Sequence, residues 1–264
     1  MPSLAVIGHP VAHTRSPDMQ TAALTELGLA GEWTYGALDI EPEGFEAAVA
    51  ELAAAGDYAG VNVTIPHKEA ALAIADEASE AARAIGAANT LTFTDGRIAA
   101  DNTDAGGVIG SLPRVPVGER VLVLGAGGAA RAAIWALADA GATVDVWNRT
   151  AARAEAVAAE LGGRPVAAPR AADYALIVNA TSVGLHGEDP FELLPLGPAD
   201  FRADQVVFDV VYAPEPSALL AAAAAVGATT IEGLEMLVQQ GALSLRIWTG
   251  AEPSLEAMRA GARR

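Results

Sequence analysis

The chain has 264 residues, 52% of them hydrophobic and 19% charged, which is enough apolar material for two domain cores and too apolar for a disordered chain. Its 16 basic and 33 acidic residues leave a formal charge of −17, which argues against a phosphate-neutralising nucleic-acid binder and against an electrostatic membrane surface. The absence of cysteine excludes disulfides, thiolate metal sites and cysteine nucleophiles.

Taken in chain order, short β-branched runs alternate with Ala-rich amphipathic stretches, the pattern of successive βα units. Leu4–Ile7 is a buried strand stopped by Gly8 and Pro10. Ser16-Pro17 opens a helix that runs to Leu27 and ends at Gly28. A strand over 33–40, a helix over 44–55 and a strand over 60–64 follow. The spacing then predicts one helix over 68–84. Thr90–Phe93 and Arg97–Ala100 flank Asp95-Gly96 as a hairpin.

A loop with two prolines and a glycine, 113–118, reads as a boundary. After it come strands over 121–124, 143–147, 176–179 and 206–210, with helices between them and over 218–226 and 236–247. The last helix could pack on either half. Met1 to Ile7 lacks the basic start and long apolar run of a secretory signal, and the Ala-rich run at 218–225 is too short to span a bilayer. The expectation is a cytoplasmic α/β protein, with a homodimer compatible with the sequence.

The turn after the strand at 121–124 carries the most specific local signal. Gly125 and Gly127 stand at the first two glycine positions of G-x-G-x-x-G/A, and Ala130 at the third. The first glycine allows the tight turn, the second lets backbone approach a pyrophosphate, and the third position needs a small residue for helix packing. The phosphates would then meet free N–H groups of Gly127, Gly128 and Ala129, with Ala126 in the turn. At the end of the next strand an NAD site would usually carry an acidic residue. Asn148-Arg149-Thr150 stands there instead, with Arg153 one turn on. Guanidinium groups suit a 2′-phosphate that a carboxylate would repel, so the cofactor reads as NADP. Asp145 lies three residues early and reads as strand-end surface.

The first half places small polar residues at strand ends, where ligands of open α/β sheets bind. His13, Thr14 and Ser16 follow the first strand. Asn62, Thr64 and Lys68 lie at another strand end, and Asn89-Thr90 and Asn102-Thr103-Asp104 complete the set. Hydroxyls, amides, one amine and one carboxylate suit a polyhydroxylated acid. Ser16, taken alone, could simply cap its helix. No three of His9, His13, His67 and His186 share a metal-like spacing with carboxylates, so no metal is expected.

Nearly end to end, this arrangement resembles the shikimate dehydrogenase family. The resemblance rests on G-H-P-V-A-H-T-R-S-P at 8–17, N-V-T-I-P-H-K at 62–68, G-A-A-N-T at 86–90 and N-T-D-A-G-G at 102–107. It continues through the glycine turn, N-R-T-A-A-R at 148–153, N-A-T-S-V-G at 179–184, D-V-V-Y-A-P at 209–214 and G-L-E-M-L-V-Q-Q at 233–240. Their joint order and spacing make the resemblance specific.

It implies a substrate-binding α/β domain over 1–103, joined by the C-terminal helices 236–264, and a Rossmann-type NADP-binding domain over 104–235. It implies reversible reduction of 3-dehydroshikimate by NADPH on the route to chorismate and the aromatic amino acids, with quinate as the alternative substrate. Lys68 and Asp104 would be the catalytic pair. Thr14 and Ser16 would bind the substrate carboxylate, and Thr64, Asn89, Asp104, Tyr212 and Gln240 would contact the ring hydroxyls or the carboxylate. Val210 and Gly233 would touch the nicotinamide end of the cofactor through their backbones, and Glu80 would face the cofactor. Two departures stand out. Thr14 replaces the usual first Ser and keeps the hydroxyl, and Gly241 replaces a common Ala, with little expected consequence.

Overall fold

The computed structural model describes residues 2–212 and 215–264. Met1, and Ala213 and Pro214 at the end of the D-V-V-Y-A-P motif, lie outside the described residues. The chain divides into two compact units, Met1–Gly107 with Leu237–Arg264, and Val108–Met236.

The first unit holds strands β1 (Ser3–Gly8), β2 (Thr34–Asp39), β3 (Tyr58–Val63), β4 (Glu77–Ala78), β5 (Thr90–Thr94) and β6 (Arg97–Asp101), in the sheet order β2-β1-β3-β5-β6-β4. β1 runs parallel to β2 and β3, whereas β5 is antiparallel to β3 and β6. Its first helices are α1 (Ser16–Glu26), α2 (Phe45–Ala55), α3 (Lys68–Ala73), α4 (Glu80–Ile85) and the start of α5 (Asp104–Ser111). The two-residue period of a strand puts Ala5 and Ile7, Val61 and Val63, and Leu91 and Phe93 on one face, packed against Phe45, Val49 and Ala53 of α2. The β5–β6 turn has Asp95 at φ 52° and Gly96 at φ 76°, the two positive values of a type I′ hairpin.

The helix expected over 68–84 is broken in two. The Asp76 N–H donates to the Ile98 carbonyl (2.9 Å) and its carboxylate accepts from the Ile98 N–H (2.8 Å). Ser79 N–H donates to the Ala100 carbonyl (2.9 Å), and its hydroxyl caps α4 by accepting from the Ala82 N–H (3.1 Å). The edge of β6 thus captures the backbone that a continuous helix would have kept. Helical periodicity on both sides hid the break.

The second unit holds β7 (Arg120–Leu124), β8 (Thr143–Trp147), β9 (Arg164–Pro165), β10 (Leu176–Asn179), β11 (Val206–Asp209) and β12 (Thr229–Glu232), all parallel, in the order β12-β11-β10-β7-β8-β9. Counted from β7 as the first strand, this is the doubly wound 3-2-1-4-5-6 arrangement of a Rossmann fold. Its helices are α6 (Gly128–Asp139), α7 (Ala151–Leu161), α8 (Pro190–Leu193) and α9 (Ala218–Ala225). One sheet face carries Val121, Val123, Val144, Val146 and Val178 against Ala133, Ile134 and Leu137 of α6. The other carries Leu122, Leu124, Ile177 and Val207 against Leu219 and Ala223 of α9. Both faces are covered, so these strands are continuous apolar runs.

Two helices complete the chain, α10 (Gly233–Thr249) and α11 (Leu255–Ala262). α11 packs on α1, which places the last helix with the first unit. The unit boundaries fall inside α5 and α10 rather than at the 113–118 loop. α5 and β12 had no strong sequence signal, because α5 contains three glycines and Thr229–Glu232 has one apolar residue.

One expectation needs correction. Asp145 is not strand-end surface. It is buried within β8 and accepts from Arg120 Nη2 (2.7 Å), Arg164 Nη2 (2.8 Å) and the Tyr174 hydroxyl (3.0 Å). Burial raises its pKa, but these donors together outweigh that and leave the carboxyl below its usual value. Burial and the Asp145 charge push the Tyr174 hydroxyl up to about 12. Gly241 sits in a crowded place, but the atoms around it are the mobile ends of long side chains. A methyl there would stand 2.5 Å from Met19 Cε and 3.0 Å from Gln20 Nε2, which itself donates to the Gly241 carbonyl (3.0 Å). The Gln20 amide ties α1 to α10 at this point.

Candidate active site

In the first unit, strand register explains why distant polar motifs meet. Asn62 near the end of β3 pairs with Thr90 at the start of antiparallel β5, and Thr90 pairs in turn with Asp101 at the end of β6. Asn62-Val63-Thr64, Asn89-Thr90 and Asn102-Thr103-Asp104 therefore arrive at one edge of the sheet. α3 begins five residues beyond β3, with Lys68.

Lys68 Nζ donates to Asp104 Oδ2 at 2.6 Å, and the two side chains are only 13% and 5% exposed. Asn89 holds the other carboxylate oxygen, with Nδ2 at 3.0 Å from Asp104 Oδ1 and 3.1 Å from Gln240 Oε1. Asn89 Oδ1 in turn accepts from the Thr103 N–H (2.7 Å). The ammonium and carboxylate are thus fixed in relative position, not merely close. Asn102 serves the turn: its Nδ2 donates to the Ala87 carbonyl (2.8 Å) and its Oδ1 accepts from the Ala105 N–H (3.3 Å).

His67 sets the base of α3. Its ring stacks on Phe45 with centroids 4.5 Å apart, and Nε2 lies 2.7 Å from the Ile40 carbonyl, so that nitrogen carries a proton. Burial pushes its pKa below the ordinary imidazole value and nearby His9 adds to this, against the Ile40 carbonyl. His9 Nδ1 is 2.7 Å from Asp39 Oδ1.

Thr14 and Ser16 form a pair of hydroxyls: Thr14 donates to Ser16 Oγ (3.2 Å), and the Ser16 N–H donates to Thr14 Oγ1 (3.3 Å). Ser16 is the first residue of α1 and caps nothing. Thr64 is half-buried just past β3. Glu80 is exposed at the start of α4, and Tyr212 lies in the second unit, half-buried beyond β11.

In the second unit, β7 ends at the point where strand order reverses. Gly125 has φ 119°, and a Cβ there would lie 2.8 Å from the Ala180 carbonyl oxygen, so glycine is required by backbone geometry and by the approach of β10's end. Gly127 is different. Its φ is −91°, and a Cβ there would meet nothing within 4 Å. Neither strain nor protein packing calls for glycine, and the space beside it is open. α6 starts there with no side-chain cap, so its first N–H groups remain open to an anion, and Ala130 is fully buried against the sheet.

Beyond β8, Asn148 Nδ2 bonds the Thr150 carbonyl (3.0 Å), while Arg149 and Arg153 are exposed and make no ion pair among the described residues. The one acidic residue of β8, Asp145, is consumed by Arg120, Arg164 and Tyr174. The donor set is cationic with no competing carboxylate from that strand, and it fits a 2′-phosphorylated dinucleotide. Gly233 packs so tightly under Val210 that a methyl would overlap the Val210 carbonyl, which brings those two predicted residues together. Val210 follows Asp209, a buried carboxylate that accepts from Asn179 Nδ2 (2.9 Å), the Val211 N–H (3.2 Å) and Ser217 Oγ (2.6 Å). Burial raises its pKa against those three bonds.

Sequence reasoning missed Tyr35, whose hydroxyl donates to Asn62 Oδ1 (2.8 Å), and Ser244, one turn beyond Gln240 on α10. A serine set among apolar residues four places after a site residue was the available signal. Among the described residues no group of three or more His, Asp or Glu side chains is arranged to hold a metal, and no helix is long and apolar enough to cross a membrane.

Comparison with known proteins agrees across the chain. Residues 6–91 match the shikimate dehydrogenase substrate-binding domain, 114–184 the shikimate/quinate 5-dehydrogenase family, and 233–262 the shikimate 5′-dehydrogenase C-terminal domain. A shikimate dehydrogenase (NADP+) of Acidiphilium cryptum is 45% identical over 258 residues, covering 95% of this chain and 91% of that protein. The enzyme of the same name from Thermus thermophilus is 45% identical over 262 residues, covering 98% and 97%. A crystal structure of Thermus thermophilus shikimate 5-dehydrogenase in complex with NADP(H) and shikimate superimposes with a TM-score of 0.91 at 44% identity, covering 100% of this chain and 99% of that one. With matching motifs, matching architecture and full-length identity at this level, the chain belongs to the shikimate dehydrogenase family.

Proposed function

We propose that this protein is an NADP-dependent oxidoreductase that interconverts 3-dehydroshikimate and shikimate, a step towards aromatic amino acids. The observation that carries the reading is the sheltered Lys68–Asp104 pair at 2.6 Å, steadied by Asn89. An acid–base role needs a donor held within hydrogen-bond reach of the reacting oxygen, and this pair is held in fixed geometry.

NADPH, when bound, supplies the hydride. Reduction of the substrate's C3 carbonyl leaves an oxygen that needs a proton, which Lys68 Nζ donates; in the reverse direction Nζ takes the proton from the C3 hydroxyl. Asp104 accepts from Lys68, which holds Nζ in line with the reacting oxygen for transfer. Thr14 and Ser16 donate to the substrate carboxylate. Thr64, Asn89, Gln240 and Tyr212 bind the remaining polar groups. Gly125, Ala126, Gly127, Gly128 and Ala129 receive the pyrophosphate. Asn148, Arg149, Thr150 and Arg153 receive the 2′-phosphate. Val210 and Gly233 offer backbone to the nicotinamide end, and Glu80 faces the cofactor.

The test is NADP+ reduction by the purified protein with shikimate and, in parallel, with quinate. Turnover with shikimate well above quinate is expected. Turnover with neither would overturn the reading, and a preference for quinate would reassign the substrate. A location in the cytoplasm and assembly as a homodimer are the accompanying proposals, and size-exclusion chromatography with light scattering tests the second.

A further inference from the structure

Ser244 on α10 is fully buried and lies one helical turn after Gln240. Its hydroxyl faces four polar groups: the Gln240 carbonyl at 3.0 Å, Asn62 Nδ2 at 2.9 Å, Thr90 Oγ1 at 2.9 Å and Thr103 Oγ1 at 3.0 Å. The carbonyl can only accept and the Asn62 amide can only donate. The Ser244 proton is therefore directed along its own helix to Gln240, and its lone pairs face β3, β5 and the 102–104 turn. Thr103 immediately precedes Asp104, and its N–H reaches Asn89 Oδ1 at 2.7 Å. Asn89 then bonds both Asp104 and Gln240.

We infer that Ser244 is a positioning residue for the reaction: by tying Thr103 to α10 it sets where Asp104 and Gln240 stand around Asn89, although it touches neither Asp104 nor Lys68. The inference rests on the shikimate dehydrogenase reading above. The role is separable from holding the helix in place. One turn further on, Trp248 Nε1 fastens the same helix to β5 through the Leu91 carbonyl at 3.2 Å. Loss of the Ser244 hydroxyl leaves that anchor intact and releases Thr103 together with Asn62 and Thr90. A shift of the catalytic carboxylate well under an ångström is enough to lower turnover.

Steady-state kinetics with shikimate and NADP+ on the wild type, Ser244→Ala, Thr103→Val, the double variant and Trp248→Phe tests this. Ser244→Ala and Thr103→Val should each lower kcat about tenfold, with the KM for NADP+ held within about twofold. The double variant should be no worse than the poorer single one, because both remove the same link. Trp248→Phe should lower the thermal midpoint while keeping kcat within about twofold. Full kcat in Thr103→Val would overturn the inference, even if Ser244→Ala failed to fold. So would additive losses in the double variant, or a kcat loss in Trp248→Phe as large as that in Ser244→Ala. An inactive wild type would instead refute the functional reading on which the inference stands.

Discussion

Replacing Lys68 by methionine keeps the length and apolar character of the stem and removes the charge. Asp104 would then be left 5% exposed, with no counter-charge and only the Asn89 amide at 3.0 Å as a side-chain donor among the described residues. Breaking a buried ion pair from one side costs about 3–5 kcal/mol, and the retained Asn89 bond favours the lower end. Adding Asp104→Asn removes the stranded charge, so the double variant should recover most of that stability. Activity should behave differently. Loss of a positioned acid–base group lowers kcat by about 10²–10⁴, and no second substitution at Asp104 restores it. Urea denaturation and NADPH absorbance on the wild type, both singles and the double separate the two effects. If Lys68→Met kept kcat within about tenfold of the wild type, the pair would be a structural bridge and the mechanism above would be wrong.

Arg149→Ala removes charge-assisted donors to the 2′-phosphate, so the KM for NADP+ should rise roughly tenfold to hundredfold with the KM for NAD+ unmoved. An equal rise for both cofactors contradicts the assignment. The His67 pKa is depressed in the folded protein from 6.5, so the unfolded chain takes the proton first as pH falls. The contribution of neutral His67 is fully present above the unfolded value and declines below it, by at most about 1.4 kcal/mol per pH unit. Urea midpoints of the wild type at pH 7.5 and 5.5 should therefore differ more than those of His67→Phe, which keeps the stack on Phe45; parallel curves would remove the effect. Asp145→Asn leaves Arg120, Arg164 and Tyr174 facing a neutral amide, and should destabilise the second unit by about 1–2 kcal/mol, because both guanidinium groups are about half exposed and take up water. A thermal midpoint equal to the wild type would show that this buried cluster contributes nothing net.

Local chemistry settled much of this protein in the sequence alone. The apolar run at 121–124, its glycine turn and the Ala-rich helix after it define a βα unit, because strand, turn and helix each follow from residues within about one element's length. The arginines after β8 carried the preference for a 2′-phosphate for the same reason. Tertiary structure decided what depends on partners far along the chain. The edge of β6 broke the helix expected over 68–84 through Asp76 and Ser79. Arg120, Arg164 and Tyr174 turned Asp145 from surface into core. Antiparallel pairing of β5 with β3 and β6 brought Asn62, Thr90 and Asp101 side by side, and α10 then closed the network with Ser244. Hydrogen bonds between residues 14 to 182 positions apart leave no periodic trace, so only the folded chain shows which polar side chains share a proton network and which merely cap a turn.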